Sequence, residues 1–396
     1  MNEGAQQVRV AVVGAGFAAD FHLASYQRIY GVDVEVVGIA SRTRSKAEAL
    51  AKRYGVPRVY SDLSAVLEDH DVNVVDLCVP VHLHGEMAVA VAKAGKHVIC
   101  EKPLVGYVGQ GSTPKMEMYR QVVQNLNSIR GAFESNGVHL LYAENWIYAP
   151  AIRRGMELME ASGGTILDIR GYESHSGSAS EFSKRWETSG GGALLRLGIH
   201  PLSVAIYLKQ WEGLRRGGKP IHVRDVYGQV ANLSRIPTFE NTERQWLATG
   251  WQDVENWSLS VLTFEDDTVA VISASDIALG GVENGLEVYL SNARVKCNLD
   301  PNTTCQAYAP DPSVFAGVFL NEKLETASGW SFPTVDHEWV SGYQQELQDF
   351  AEAVATDRPP VSGLDLAEEA ITVAYALYVS AEWGRRVSLR ELNDHL

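Results

Sequence analysis

The stretch from Val8 to Phe21, VRVAVVGAGFAADF, constrains this chain most, because it dictates a strand, a tight turn and a helix in immediate succession. Val8, Val10, Val12 and Val13 make a near-continuous apolar run, the pattern of a parallel-sheet strand buried on both faces. Gly14-Ala15-Gly16 breaks it, and a helix starts near Phe17. Gly14 permits the sharp turn, Gly16 lets a diphosphate approach the main chain, and the small Ala19 allows helix and strand to pack closely. Free amides at the helix start, from Phe17 and Ala18 onward, favour an anion. A G-x-G-x-x-A string alone is equally an ordinary glycine turn, so its context decides.

A helix from about Phe17 to Ile29 leads to a second buried-strand pattern, Val34 to Ala40, which completes a β-α-β unit. An acidic residue at the end of that second strand meets the adenosine ribose and favours NAD. Here the tip reads Ser41-Arg42-Thr43-Arg44, without a carboxylate. Ser41 and Arg42 suit a 2′-phosphate, which leans the reading towards NADP over NAD; the plain alternative is a solvated arginine. Arg44 to Tyr54 has helical composition and stops at Gly55, with Pro57 beyond. Val74 to Val79 and His97 to Cys100 read as further strands, separated by a helix around Glu86 to Ala94. Strand and helix alternate to about residue 100, which predicts an α/β doubly wound parallel sheet and makes the glycine turn a cofactor site.

Cys78-Val79-Pro80, His84, Ala94-Gly95-Lys96-His97-Val98 and Glu101-Lys102-Pro103-Leu104, with the opening turn, resemble the glucose-fructose oxidoreductase and inositol dehydrogenase (Gfo/Idh/MocA) family. The resemblance covers nearly the whole chain. It implies an N-terminal Rossmann dinucleotide-binding domain, residues 1–150, and an α+β substrate-binding and oligomerisation domain, residues 151–396, on a large, mostly antiparallel open sheet. It also implies cofactor contacts from Pro80, His84, Glu101 and Lys102 beside Gly14, Gly16, Phe17, Ala18, Ser41 and Arg42. In the family the lysine of Glu-Lys-Pro, here Lys102, binds the reacting hydroxyl, and Pro103 often follows a cis peptide. Apart from the family, a lysine at the carboxyl end of a sheet strand faces the ligand crevice, where its ammonium stabilises charge as an alcohol loses its proton. The plain alternative is a surface lysine paired with Glu101. Val105 to Pro114 reads as a loop over the cofactor or at a subunit contact, followed by a helix to about Ser135. Gly137 to Asn145 supplies a sixth strand, and Asn145 and Tyr148 fall where relatives present polar groups to substrate.

Beyond Gly163 the rhythm changes. Thr165 to Tyr172, Val223 to Leu233, Trp257 to Phe264, Thr268 to Ser275 and Leu286 to Ser291 alternate or run apolar without long helices between them. Glu265-Asp266-Asp267-Thr268 sits between two of these runs as a hairpin turn. Gly190 to Pro201, GGGALLRLGIHP, is a glycine-rich lead into a helix that puts residues 196 and 200 on one face. In the family His200 acts as acid/base on the reacting hydroxyl, a task suited to an imidazole. The family usually has Asp where Arg196 stands. A fixed cation there suggests a clamp for a substrate carboxylate, phosphate or sulfonate, or else an ion pair with an acid such as Glu173 or Asp168. Glu173 to Ser178 with Lys184-Arg185-Trp186 reads as a sugar-reading loop or as solvated surface. On the first reading Trp186 stacks on a ring, His175 and Lys184 contact oxygens, and His175 is a reserve acid/base. Val340 to Thr356 and Leu364 to Trp383 are helices that complete the domain interface. Trp330, Phe332, His337 and Trp339, in an irregular stretch before these helices, read as core packing, the alternative being a reach to a site or a neighbouring subunit.

A formal charge of -15 over 396 residues argues against nucleic acid or an anionic membrane as partner. Four cysteines, two of them in apolar strand runs, fit a reducing cytosol, and no His/Cys/carboxylate spacing suggests a metal. No signal region precedes the first strand, and no uninterrupted apolar stretch reaches the roughly 20 residues of a membrane span. The expectation is a cytoplasmic NAD(P)-dependent oxidoreductase that uses Lys102 and His200 on a secondary alcohol of a sugar, cyclitol or sugar acid, and that forms a homodimer or homotetramer through its second sheet. Three alternatives stand beside it: an oxidoreductive glycosidase with retained NAD, a dihydrodiol dehydrogenase, and a cofactor-sensing regulator without turnover.

Overall fold

Strand and helix alternate from Val8 as the apolar runs require. The computed structural model describes residues 7–299, 305–321, 323–324 and 326–396. Strands β1 (Val8–Val13), β2 (Val34–Ala40), β3 (Arg58–Tyr60), β4 (Val74–Leu77), β5 (His97–Glu101) and β6 (Leu140–Ala143) form a six-stranded sheet in the order β3-β2-β1-β4-β5-β6. All its neighbours run parallel. The connecting helices are α1 (Phe17–Tyr26), α2 (Arg44–Tyr54), α3 (Leu63–Glu68), α4 (Val81–Lys93) and α5 (Lys115–Asn136). Helix α1 stops three residues before the expected Ile29, because the Arg28 and Ile29 amides turn back to the Ser25 and Tyr26 carbonyls in tighter bonds.

After α6 (Pro150–Ser162) the chain enters the C-terminal domain. Its strands are β7 (Ile166–Ser174), β8 (Val223–Ala231), β9 (Trp257–Phe264), β10 (Val269–Ser275), β11 (Glu283–Leu290) and β12 (Arg294–Asn298). With the short β15 (Val387–Ser388) they form a mixed sheet in the order β12-β11-β7-β10-β9-β8-β15, antiparallel except at β7 and β10. Along β9 and β10 alternate residues are buried and half-buried, so one face is covered and the other open. Helix α7 (Ile199–Gly217) packs on the covered face against β7 and β10. The segment Trp186–Gly217 is long and apolar enough to cross a bilayer, but 89% of its most apolar window is buried inside the protein.

Helices α8 (Tyr343–Thr356) and α9 (Leu364–Trp383) join the two sheets: α8 packs on α1 and on residues 145–148, and α9 on α5 and β8. Between them, Tyr142 of β6 donates its amide to the Ser362 carbonyl at 3.0 Å. The loop from Val105 to Pro114 is tied to later segments of the chain. Gly111 donates to Asp253, and Tyr107 to the Tyr375 hydroxyl. Core packing fails for Trp330 and Trp339, 68% and 46% exposed. Trp330 lies in a small two-stranded antiparallel sheet, β13 (Ala307–Ala309) with β14 (Gly329–Ser331), edge-on to Tyr308, whereas the His337 ring lies tilted against Phe21 of α1.

Candidate active site

The carboxyl ends of β1, β2 and β4 converge on the glycine turn. Gly14 donates to the Ala40 carbonyl at 2.8 Å, and its φ of 129° leaves no room for a side chain: a Cβ there would lie 2.0 Å from the Cys78 carbonyl oxygen. Gly16 caps α1, no side chain closes that helix start, and a Cβ added at Gly16 would meet nothing within 4 Å. The first amides of α1, at Phe17 and Ala18, therefore open on a crevice with room for a diphosphate. Ser41 and the exposed Arg42 follow β2 directly at the ribose end, and half-buried Pro80 caps α4. These residues fit a dinucleotide.

His84 and Glu101 are committed elsewhere. His84 is buried, its Nδ1 2.8 Å from the Pro103 carbonyl and its Nε2 2.7 Å from that of Val79, so it pins the segment carrying Lys102 instead of reaching a cofactor. The Lys102–Pro103 peptide is cis. The Glu101 carboxylate accepts from the Lys102 amide and lies 3.2 Å from Nε2 of His22. The fully buried His22 has Asp76 on its other nitrogen at 2.8 Å. Burial opposes a charge on this ring, but the Asp76 carboxylate outweighs it and raises His22 well above its ordinary range. His22 thus sits between two carboxylates below the end of β5. Residues 22, 76 and 101 lie too far apart in sequence for any motif to show it.

Lys102 and His200 meet through the main chain. The turn Leu194–Gly198 is π-helical before α7 begins. In that register a carbonyl looks five residues ahead for its donor; five residues beyond Arg196 stands Pro201, which has no N–H. The Arg196 carbonyl instead accepts from Lys102 Nζ at 2.9 Å. The expected single face for residues 196 and 200 is therefore part π and part α turn. Ahead of it, Glu255 anchors the glycine-rich lead by accepting from the Leu194 amide and the Tyr378 hydroxyl, while Tyr375 donates to the Gly190 carbonyl.

Arg196 has an acid partner, but neither Glu173 nor Asp168. Its guanidinium pairs with Asp276, fully buried just past β10, and stacks over Trp251 at 5.2 Å. The sequence reading missed both, because Asp276 and Trp251 belong to other segments and carry no motif. His175 is brought alongside, and its Nδ1 accepts from the Gly177 amide at 2.9 Å. That bond places the proton of the neutral ring on Nε2, a donor, so His175 is unsuited to the reserve base role. Burial, with Lys323, Arg196 and Lys102 nearby, holds it down to about 3.

The remaining candidates belong to the scaffold. Trp186 is 2% exposed, its ring between the Lys115 ammonium at 4.2 Å and Tyr378, and so cannot stack on a sugar. Lys184 pairs with Glu181 at 2.8 Å. Asn145 donates to the Ser341 carbonyl, and the Tyr148 hydroxyl joins Asp349 to the Ser362 amide; both side chains are buried and fix α8 instead of facing substrate. Glu144, beside Asn145, is the residue that reaches the site: its Oε1 lies 2.5 Å from His200 Nδ1.

Residues 8–121 match a family model described as oxidoreductase family, NAD-binding Rossmann fold, and residues 158–296 match one described as GFO/IDH/MocA C-terminal domain. Levoglucosan dehydrogenase of Pseudarthrobacter phenanthrenivorans is 33% identical over 216 residues, 51% of this chain and 51% of that protein. The chain thus aligns with about half the length of that relative. Myo-inositol 2-dehydrogenase of Thermotoga maritima is 24% identical over 400 residues, 97% of this chain and 99% of the relative. Among solved structures, GenD2 from gentamicin A biosynthesis in complex with NAD superposes with a TM-score of 0.78 at 26% identity, covering 98% of this chain and 97% of its own.

Proposed function

Because the chain belongs to the Gfo/Idh/MocA family of NAD-binding oxidoreductases, whose members include inositol and levoglucosan dehydrogenases, we propose that it moves hydride between a nicotinamide dinucleotide and a secondary alcohol of a sugar, cyclitol or related glycoside. The observation that carries this reading is the bond from Lys102 Nζ to the Arg196 carbonyl, in the turn that leads into the His200 helix, which brings an ammonium and an imidazole to one place at the crevice edge. The bound nicotinamide supplies the hydride acceptor. Lys102 holds the substrate oxygen and stabilises its developing charge, and His200 Nε2 exchanges the hydroxyl proton.

Arg42, exposed at the ribose end with no acid beside it in the sequence, supports acceptance of NADP as well as NAD. Arg196 is read as the internal partner of Asp276 and not as a clamp for a substrate anion, since its charge is already met by a buried carboxylate. The test is turnover of a polyol, sugar-acid and glycoside panel, followed by absorbance of the reduced nicotinamide. Lys102→Met and His200→Gln should each lower kcat by about 10²-fold or more while dinucleotide binding persists. Wild-type protein that binds the dinucleotide and oxidises no member of the panel overturns the reading.

A further inference from the structure

His200 is held on two sides. Its Nδ1 meets Glu144 Oε1, and its ring lies flat on Trp146, with centroids 5.3 Å apart and 10° between the planes. Nε2 alone is left without a protein partner among the described residues. Glu144 directly follows β6 and is fully buried, and its second oxygen, Oε2, has no hydrogen-bond partner. A buried carboxylate with one oxygen unmet is disfavoured, and a proton relieves it.

The surroundings agree. Lys102 and Glu101 face the pair from the end of β5, Glu173 from β7 and Glu346 from α8, with the Tyr142 and Ser203 hydroxyls adjacent. Burial pushes Glu144 up to about 8 against the pull of Lys102. Burial and the Lys102 ammonium hold His200 down to about 3. Burial thus favours the neutral acid at Glu144 and the neutral ring at His200.

We propose that Glu144 and His200 form one proton-holding pair, in which the protonation of Glu144 selects the tautomer of His200 and hence the direction of catalysis. With two protons on the pair, the Glu144 acid donates to Nδ1, so the ring proton sits on Nε2 and can be given to a substrate carbonyl as it is reduced. With one proton, the Glu144 carboxylate accepts from Nδ1–H and Nε2 is bare. In alcohol oxidation the hydroxyl proton then passes to Nε2 as the O–H bond breaks. The carbon–oxygen bond becomes double, the carbon-bound hydrogen leaves with its electron pair for the dinucleotide, and the Nδ1 proton passes to Glu144. The alcohol is oxidised, the dinucleotide is reduced, and the pair ends with two protons. Glu144 touches no substrate; it is a positioning residue.

This inference rests on the oxidoreductase reading, and its test separates the two. In the wild type, kcat for oxidation should rise and kcat for reduction fall through one common limb near pH 8. Glu144→Gln keeps the shape and an acceptor for Nδ1–H but cannot titrate: the limb should vanish, with oxidation above it slowed by about tenfold or more and KM within about twofold. Glu144→Asp should restore the limb. Nitrogen NMR of histidine-labelled wild-type protein, assigned by its loss in His200→Gln, should show the proton move from Nε2 to Nδ1 as the pH rises through the same limb. A limb retained in Glu144→Gln, or a tautomer that does not change in the wild type, overturns the pair. A tautomer that changes in a protein turning over no panel member upholds the pair and overturns the oxidoreductase reading.

Discussion

Single side chains divide here into those whose motif announces them and those that only the fold brings in. Lys102 and His200 stand in strings with meaning of their own, and both reach the crevice. Asp276 and Glu144 do not, because a partner from another segment leaves no trace in local spacing. Arg196 shows the consequence: as an isolated cation it suggests an anionic substrate, and only the folded chain shows the carboxylate beneath it. Arg196→Met leaves Asp276 buried and unpaired, so chemical denaturation should report a loss of about 3–5 kcal/mol. The double variant Arg196→Met/Asp276→Leu should recover most of it, and the KM values for anionic and neutral substrates should shift alike. At the other end of the crevice, Arg42→Asp should reduce kcat/KM with NADP by about tenfold or more, the worth of one charged hydrogen bond, while NAD is used nearly as before. An equal loss with both dinucleotides would show that Arg42 reads no 2′-phosphate.

At the scale of elements, period and punctuation found most strands, because buried parallel strands are apolar throughout and half-covered antiparallel ones alternate. They missed β3 and α3, too short to show a period, and β12, whose five residues RVKCN include three polar ones. The π turn was illegible for another reason: Leu194 to Gly198 has the composition of an ordinary helix, and the amide that its register would offer the Arg196 carbonyl is the one that Pro201 lacks. Restoring that amide in Pro201→Ala gives the Arg196 carbonyl a main-chain donor in competition with Lys102. Steady-state kinetics should then show kcat/KM lower by about tenfold, from a weakened hydrogen bond to a charged group, with thermal stability little changed. Unchanged kinetics would mean that Lys102 does not depend on that carbonyl. Gly190 and Gly106 bound the same region: a Cβ on either would lie 2.7 Å from the α-carbon of the other, so the loop after Lys102 and the lead to His200 touch backbone to backbone.

For the whole molecule, the two-sheet plan was legible from the change of rhythm near Gly163, while the role of the last two helices as a joint between the sheets was only partly so. The open face of the second sheet carries Leu259, Val261, Val269 and Val271, all half-exposed, with Val261 directly across from Val271. We propose that this face pairs copies of the chain. Light scattering should give a dimer or tetramer, and Val261→Glu a monomer, since a charge in an apolar interface is desolvated without a partner. A monomeric wild type would refute it. The joint has a consequence in time. Helix α5 ends at Asn136, yet α9, which lies against it and pairs Glu368 with its Arg130, starts only at Leu364. A ribosome adding about 5–20 residues per second delivers that cover roughly ten to fifty seconds after α5. Throughout that wait the newborn dinucleotide half has an uncovered flank, so its yield in a cell depends on how well chaperones shield it until synthesis ends.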